Sequence, residues 1–258
     1  RPLFVILLLI MVPLATTELG TDSWITELMV PFLGDNAGWV VVYTALIMMI
    51  LRFYAGPIVH RISPLGLLAL SSAIALVGLI ILSSATGFMI FIAATIYGLG
   101  KTFFWPTMLG VAGERFPKGG ALTLNAITGV GMLAAGVFGA AFLGNIQDKQ
   151  IDRDLFAQNP AVHANVMGDE KSSIFGDYKP IDQQKVGSLS ASDKSVISNI
   201  QTNAKQGALS TVAIFPAIML VSYLGMMMYF RSIGGYRPIH LNEEEISEDS
   251  IDSLGKEE

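Results

Sequence analysis

The sequence predicts an all-α fold, a polytopic bundle of six membrane-spanning helices, and three observations lead to it. Hydrophobic residues make up 52% and charged residues only 14% of the 258 residues, whereas soluble domains carry about a quarter charged residues. The mean hydropathy is +0.55. The hydrophobic residues gather in six runs, most of them close to the roughly twenty residues that a helix needs to cross a bilayer. The lipid bilayer is therefore the expected surroundings of most of the chain.

The six hydrophobic runs, named segments 1 to 6, occupy residues 3–32, 39–59, 65–83, 88–111, 121–143 and 209–230. Short connections rich in Gly, Pro, Ser and Asn separate the first five, and these residue types favour turns. Segment 1 runs for about thirty residues, which predicts a tilted helix with a break. Each of the other segments has the length of a single crossing.

A hydrophilic insert, residues 144–207, separates segments 5 and 6. It is mixed in charge, contains Pro160 and Pro180, and has only short apolar patches. A stretch of this length is either a small, partly helical subdomain outside the membrane or a mobile loop. The predicted organisation is therefore five transmembrane helices over residues 1–143, this insert, a sixth transmembrane helix over 208–232 and an acidic tail over 233–258.

Basic residues indicate the orientation of the chain in the membrane. If the helices alternate in direction, one side of the membrane carries Arg1, Arg52, Arg61, Arg115, Lys118, Arg231 and Arg237, while the short turns on the other side carry Asp35 and no basic residue. Lys and Arg are enriched in cytoplasmic loops. We therefore expect a multi-pass protein of the cytoplasmic (inner) cell membrane, with the insert facing outward and the acidic tail inward.

The sequence lacks the residues that several functional classes need. The chain has no cysteine, and its three histidines lie in separate connections, so no metal site is predicted. It has no HExxH motif and no cofactor fingerprint, so no cofactor is expected and an intramembrane enzyme is the weakest hypothesis. The GLGKT stretch of segment 4 lacks the first Gly of a phosphate-binding loop. No nucleic-acid partner follows from the charge distribution.

Segments 1 and 4 each carry a polar patch near the middle. In segment 1 the patch contains Thr16, Thr17, Glu18, Gly20, Thr21 and Asp22 and ends at Trp24, and in segment 4 it contains Tyr97, Gly98, Gly100, Lys101 and Thr102 and ends at Trp105 and Pro106. Interrupted segments at corresponding places in two halves of a bundle are typical of a transporter's midplane site. The correspondence here is three helices plus three.

Glu18 and Lys101 are the first candidates for function. A carboxylate at the centre of a bilayer costs about 3 kcal/mol, so Glu18 is expected to face the bundle interior or a wet cavity. One interpretation is a structural ion pair between Glu18 and Lys101. The other is that Glu18 binds a proton or a substrate hydroxyl, while Lys101 holds the substrate or the carboxylate between proton loads. The two interpretations are compatible.

The remaining candidates for the substrate and proton site are Thr17, Asp22, Trp24, Trp105 and Asn125. The two tryptophans adjoin the polar patches and are candidates for stacking on a sugar, with ordinary helix packing as the alternative. For Asp22 and Asn125 the alternative is local hydrogen bonding. A separate stripe of small residues, Gly136, Ala140 and Gly144, predicts the close approach of another helix to segment 5.

The connection after segment 2 reads Gly56-Pro-Ile-Val-His60-Arg61-Ile-Ser-Pro64. With the six-helix pattern and the polar patch of segment 4, it resembles the C-terminal six-helix half of a major facilitator superfamily transporter. Gly56 and Arg61 match the gating loop of that family, whereas His60 stands where the family has an acid. The resemblance implies two six-helix halves, alternating access around a central site and, often, proton coupling. It therefore implies a missing N-terminal six-helix half as partner.

The midplane charges and the pairing of the two interrupted segments lead us to expect secondary active transport of a small polar solute such as a sugar, with proton (H⁺) symport through Glu18. A half-size protein that works as a dimer is the less favoured arrangement, because the chain opens on Arg1 with neither an initiator Met nor a signal-peptide pattern and is expected to be a fragment. The alternative function is a non-transporting polytopic membrane protein, such as a sensory or assembly subunit, whose outward insert binds a partner.

Overall fold

The computed structural model describes residues 2–239, except for the side chains of residues 23–24, 27–28, 31–32, 59–60, 138 and 140. Over this range the fold is all-α, as predicted, and the described residues form no strand beyond isolated bridges. Six helical stretches, one for each of segments 1 to 6, are long and apolar enough to cross a membrane. The chain therefore has the architecture of a multi-pass membrane protein.

The helices of the described residues are, in chain order, α1 (Pro2–Gly20), α2 (Asp22–Leu33), α3 (Trp39–Phe53), α4 (Ala55–Arg61), α5 (Pro64–Leu82), α6 (Phe88–Lys101), α7 (Phe104–Arg115), α8 (Gly120–Ala134), α9 (Ala141–Gln158), α10 (Pro160–Val166), α11 (Gln183–Gly187), α12 (Ala191–Val212) and α13 (Ile214–Ser232). A π-helical turn, Ala135–Ala140, joins α8 to α9 within segment 5.

Segments 1 and 4 are both broken at their polar patches. In segment 1, α1 gives way to α2 at Thr21, and the Thr17 and Thr21 hydroxyls each donate to the carbonyl four residues earlier. Such bonds compete with the helical ladder and bend helices. In segment 4 the break falls between Lys101 and Phe104, just before Pro106, whose ring disfavours helix on its N-terminal side. The predicted interruptions are therefore present.

Helix α5 is packed tightly against α6 because glycines remove side chains from the contact. A Cβ built on Gly100 would lie 2.4 Å from the backbone nitrogen of Ala75, and one built on Gly78 would lie 2.7 Å from the Cα of Tyr97. Real side chains do not tolerate such distances, so the two backbones meet where only glycine fits. This contact fixes the depth of Tyr97 and Lys101 in the bundle.

The main packing partners of the six segments follow a regular scheme. Segment 1 contacts segments 2, 4, 5 and 6, and segment 4 contacts segments 1, 2, 3 and 5. Segments 2 and 5 both contact segments 1 and 4, whereas segment 3 packs on 4 and 6 and segment 6 packs on 1 and 3. Exchanging segments 1, 2 and 3 with 4, 5 and 6 leaves this scheme unchanged.

The small-residue stripe of segment 5 was predicted on the wrong positions. Cβ atoms built on Gly136 and Gly144 would meet open space, and the side chain at position 140 is not described. The close approach instead involves Gly139, which faces Gly20 of segment 1, and Gly131, which accommodates Met11. The π-helical turn adds a residue to the helix at this point, and such a bulge shifts the faces that a regular spacing would predict.

The hydrophilic insert is a helical subdomain, the first of the two structures that its sequence allowed. Helix α9 prolongs segment 5, α12 leads into segment 6, and the short helices α10 and α11 lie between them. Their apolar residues form a second core: Ile151, Leu155, Val162, Val166, Met167, Ile197, Ile200 and Ala204. The side-chain amide of Gln206 donates to the carbonyl of Ala85, in the turn between segments 3 and 4. The insert is thereby tied to the bundle.

Residues 233–239, named the strap, return from segment 6 to the end of α7. The Tyr236 hydroxyl donates to Glu114 Oε2 at 2.6 Å, and the Ile239 amide donates to the Glu114 carbonyl at 2.8 Å. Arg115 donates to the carbonyl of Arg237 at 2.7 Å and lies over the rings of Phe230 and Tyr236. The acidic residues 243–258 lie outside the described part of the chain.

Candidate functional site

The polar patches of segments 1 and 4 meet inside the bundle. The hydroxyl of Tyr97 donates to the backbone carbonyl of Thr17 and lies 2.6 Å from the hydroxyl oxygen of Thr21. All three residues are fully buried. Because Thr17 and Thr21 flank the break of segment 1, the Tyr97 hydroxyl holds that break against segment 4. Tyr97 is a member of the predicted patch, but its position at the centre of the contact was not predicted.

Lys101 pairs with Asp22 and not with Glu18. Its ammonium donates to Asp22 Oδ1 and lies 5.6 Å from the centre of the Tyr97 ring. The Lys101 side chain is only 2% exposed, while that of Asp22 is 35% exposed. The predicted Glu18–Lys101 ion pair is therefore replaced by a pair one helical turn further along segment 1. The reason is the break at Thr21, which turns α2 so that Asp22 reaches the lysine.

Glu18 pairs with Arg52 of segment 2. The distance from Arg52 Nη2 to Glu18 Oε1 is 3.3 Å, and the Glu18 side chain is 8% exposed while that of Arg52 is 41% exposed. Arg52 entered the orientation argument as a residue flanking a helix end. It lies instead within the polar site, about 20 Å along α3 from Trp39 at 1.5 Å per residue. Sequence reasoning therefore missed it as a functional residue.

A helix break explains where Arg52 is held. Its Nε donates to the backbone carbonyl of Thr102 at 2.9 Å. In a continuous helix this carbonyl would accept from the amide four residues later, but that residue is Pro106, which has no N–H. The break in segment 4 thus leaves one buried acceptor open, and the guanidinium of Arg52 fills it. The four-residue spacing from Thr102 to Pro106 is a sequence signal for an open backbone carbonyl, which a donor such as Arg52 can fill.

The second carboxylate oxygen of Glu18 has no direct partner. Oε2 is buried and has no hydrogen bond of standard geometry among the described residues, while the backbone amide of Trp105 is close enough to donate a weak hydrogen bond to the carboxylate. Buried polar atoms in native proteins are nearly always satisfied, so such an exception calls for a reason. A buried oxygen with a free lone pair is a place where a proton can add.

Together the site holds two carboxylates and two cations from three segments. Asp22 and Glu18 come from segment 1, Lys101 from segment 4 and Arg52 from segment 2, and their formal charges sum to zero. In the low dielectric of a membrane protein such charges are stable only in compensating sets. The arrangement can exchange partners or accept one proton, and it has no evident nucleophile and base pair.

Arg52 also borders open space. It lies in an open surface groove of about 400 Å³ along α3, whose other residues are apolar: Ala45, Met48, Met49 and Phe53. It lines a cavity of about 240 Å³ that also touches Ala55, Pro64, Phe103, Pro106, Thr107, Gly110 and Glu114. The guanidinium is therefore the group through which the buried charges meet space that a solute can enter.

Among the described residues, no other predicted side chain makes a hydrogen bond or ion pair in this site, and Trp105 meets it only through its backbone amide. The side chain of Trp24 lies outside the described residues. Trp105 is half-buried and packs on segment 5, where a Cβ on Gly131 would come within 2.9 Å of its ring. Asn125 is exposed on α8. Gly56 and Arg61 are exposed on α4, and the side chain of His60 is not described, so their role in gating stays a prediction.

Within residues 2–239, apart from the undescribed side chains, no three acidic or histidine residues are grouped so that they could hold a metal ion. The chain matches no family model, no curated protein and no solved structure, so its function is inferred from its own geometry.

Proposed function

We propose that the chain is one six-helix half of a secondary active transporter of the major facilitator type, which moves a small polar solute together with a proton. The observation that carries this proposal is the meeting of two interrupted segments at their breaks around four charges, of which Glu18 and Lys101 are buried. Broken helices that meet at mid-depth and present charges to a cavity are the usual construction of a transporter's binding site. The expected membrane is the cytoplasmic cell membrane.

The packing scheme of the six segments supports a transporter built from two repeats. The main helix contacts are preserved when segments 1, 2 and 3 are exchanged with 4, 5 and 6, and segments 5 and 6 touch in addition through the rings of Phe142 and Phe215. Each repeat has three helices, and because three is an odd number the second repeat crosses the membrane in the opposite sense to the first. Inverted repeats of this kind underlie several transporter folds, including each half of the major facilitator type.

Proton coupling is supported by the state of Glu18. Its carboxylate is buried, has one oxygen without a partner among the described residues, and contacts a cation that can be released to a cavity. Loading a proton on Oε2 removes the attraction that holds Arg52 to segment 1. The same proton therefore changes both the charge of the site and the contact between segments 1 and 2, as coupling requires.

The proposal includes a second six-helix half as partner, since alternating access needs a cavity between two bodies that move against each other. Helix α3 carries an exposed apolar surface that ends at Arg52: Trp39, Val42, Leu46, Met49, Ile50 and Phe53. Part of this surface faces lipid or the other half. The half is supplied either by a separate stretch of polypeptide or by a second copy of the chain.

A second candidate function, a membrane subunit whose insert binds a protein partner, is favoured by one observation. The insert has its own core and continues segments 5 and 6 without a flexible joint among the described residues. A subdomain held this firmly is able to present a binding surface. It does not account for the buried charges of Glu18 and Lys101, which an assembly subunit does not need.

The test is solute-driven proton movement in proteoliposomes that contain the chain together with any coding sequence upstream of it. A panel of neutral and anionic sugars and small acids is added outside, and pH is followed inside. Proton uptake that depends on solute and disappears in Glu18→Gln supports the proposal, with Asp35→Asn in an exposed turn as the control. Absence of flux for every solute would overturn it and favour the subunit function.

A further inference from the structure

Arg52 has the properties of a ligand-binding cation, beyond its pairing with Glu18. Its Nε is bonded to the Thr102 carbonyl, which Pro106 leaves open, so the guanidinium is held in place whether or not Glu18 is charged. A guanidinium has five N–H donors, and those used by Thr102 and Glu18 leave others for a ligand. The side chain is 41% exposed. It is therefore positioned to bind an anion from the cavity side.

The charges around Glu18 determine the net charge of a solute that can bind together with a proton. The groups that face its carboxylate are Arg52 from segment 2, Lys101 from segment 4 and Asp22 from its own segment, with the Tyr97 hydroxyl nearby on segment 4. With Glu18 ionised the formal charges cancel. When a proton from the medium adds to Oε2, the site gains one positive charge, and an uncompensated charge is costly in a low dielectric.

A solute with one negative charge restores the balance. Protonation of Glu18 frees Nη2 of Arg52, and a carboxylate oxygen from the solute can take the place that Glu18 Oε1 held. Arg and carboxylate groups form two parallel hydrogen bonds when the geometry allows. Proton and monoanion then load together, and both leave together when Glu18 returns its proton to the medium and pairs again with Arg52.

The cavities at Arg52 narrow the class of anion. The open groove of about 400 Å³ along α3 is otherwise lined by alanine, methionine and phenylalanine, and the cavity of about 240 Å³ has Thr107 and Glu114 among its lining residues. Glu114 would repel a second negative charge at the far end of the solute. A phosphate ester carries close to two negative charges at neutral pH, which exceeds the single charge that the site can balance.

We propose that the transported solute is a small monocarboxylate, such as a sugar acid or a hydroxy acid, bound by Arg52 when Glu18 is protonated. This rests on the proposed function and names the substrate class of the same site. It differs from the expectation of a neutral sugar that the sequence raised, because the group exposed to the cavity is a cation and not a set of hydroxyl or amide groups.

The experiment compares matched pairs of solutes in proteoliposomes that contain the chain with any upstream coding sequence. Each pair differs by one carboxylate: glucuronate with glucose, gluconate with glucitol, and lactate with propane-1,2-diol. Uptake is driven by an inward proton gradient, with and without a potassium diffusion potential set by valinomycin, and glucose 6-phosphate is included. We expect at least one acid to enter tenfold faster than its neutral partner, and its uptake to be independent of the potential, because a proton and a monoanion carry no net charge.

Substitutions at Arg52 give an independent measurement. Arg52→Lys keeps the charge and loses the planar pair of donors, so the apparent KM for the acid should rise by tenfold or more. The matched control Arg153→Lys, exposed on α9 of the insert, should leave it unchanged. Both variants are first checked for monodisperse protein by size-exclusion chromatography. The wild-type comparison of solutes decides the matter even if Arg52→Lys does not fold.

The outcomes separate the substrate class from the transport function. Uptake of a neutral sugar that exceeds that of its acid and increases with the potential would overturn the monocarboxylate inference while leaving proton-coupled transport in place. Preference for glucose 6-phosphate would also overturn it, in favour of a phosphate site. No uptake of any solute would overturn the transport function and the substrate class together.

Discussion

The guanidinium of Arg52 donates its Nε hydrogen to the backbone carbonyl of Thr102 at 2.9 Å. This bond joins segment 2 to the break of segment 4, and it exists because Pro106 supplies no amide to that carbonyl. The same arginine reaches Glu18 at 3.3 Å, so one side chain connects segments 1, 2 and 4. The proline thereby determines the position of a charge on another helix.

Replacing Pro106 with alanine should therefore weaken function without unfolding the protein. Pro106→Ala restores an amide that can bond to the Thr102 carbonyl, so Arg52 Nε loses the acceptor that holds it. Alanine is favoured over proline within a helix by about 3 kcal/mol. We expect an unchanged or higher Tm and a transport rate lowered by roughly tenfold, which corresponds to about 1.4 kcal/mol of activation free energy. Thermal unfolding and proteoliposome uptake measure the two effects.

Pro216→Ala is the matched control for this substitution. Pro216 is the third residue of α13, as Pro106 is the third residue of α7, and it also follows a break between two helices. It has no arginine from another segment among its hydrogen-bonding neighbours in the described residues. Equal loss of transport in both variants would contradict the role given to Arg52 and Thr102.

The ion pair of Lys101 and Asp22 should respond unequally to the loss of either partner. Lys101 is 2% exposed and Asp22 is 35% exposed. Asp22→Asn leaves a buried ammonium without its carboxylate, and breaking a buried pair costs about 3 to 5 kcal/mol. Lys101→Met leaves only a partly hydrated carboxylate, so its cost should be smaller. Unfolding in denaturant measures both variants, and the double variant should be more stable than Asp22→Asn alone. Equal single costs would contradict the unequal burial.

The six crossings and the two breaks were predictable because each has its own local sequence pattern. A run of about twenty apolar residues is long enough to span a bilayer, and polar residues with glycine or proline inside such a run mark a break. The pairing of the four charges was not predictable in the same way. Lys101 and Glu18 are at similar depth, yet the turn at Thr21 brings Asp22 to the lysine instead.

Arg52 illustrates why local sequence patterns are insufficient to predict the contacts of the site. An arginine near the end of an apolar run is ordinarily a flanking residue at the membrane surface, and only the tertiary contact with Thr102 shows otherwise. The π-helical turn of segment 5 had a comparable effect, since the close contacts lie at Gly131 and Gly139 and not at Gly136 and Gly144. In both cases a deviation from regular helix geometry decided the result. The four-residue offset from Thr102 to Pro106 is visible in the sequence, but the donor that fills the open carbonyl is not.

The close contact of segments 3 and 4 predicts that Gly100 cannot bear a side chain. A Cβ on Gly100 would lie 2.4 Å from the backbone nitrogen of Ala75, and overpacking of a dense core typically costs about 1 to 3 kcal/mol. Gly100→Ala should lower the Tm and the yield of monodisperse protein. Gly110→Ala, in the same segment, meets open space and should be neutral or stabilising by up to about 1 kcal/mol. Similar behaviour of the two variants would show that the backbones can separate at no cost.

The strap should detach from α7 in alkaline solution. Burial, together with the neighbouring Glu114 carboxylate, raises the pKa of the Tyr236 hydroxyl above its ordinary value of 10.0. A raised pKa means that the bound strap favours the neutral phenol, so its stabilising contribution is fully present below pH 10 and is lost as the pH rises beyond that value. Chymotrypsin cleavage after Tyr236, whose ring packs on Phe230 in the bound strap, should then become faster.

Tyr236→Phe tests the same contact at neutral pH. The variant keeps the ring against Arg115 and Phe230 but loses the 2.6 Å hydrogen bond to Glu114, which is worth about 1 to 3 kcal/mol for a charged acceptor. Chymotrypsin cleavage after residue 236, which accepts Tyr and Phe alike, should become about tenfold faster at pH 8 and should lose its further rise above pH 10. The control is Tyr229→Phe on the exposed side of α13, which should match wild type. If Tyr236→Phe retained the alkaline rise, the pH dependence would originate elsewhere, because no other phenol donates to Glu114 among residues 2–239.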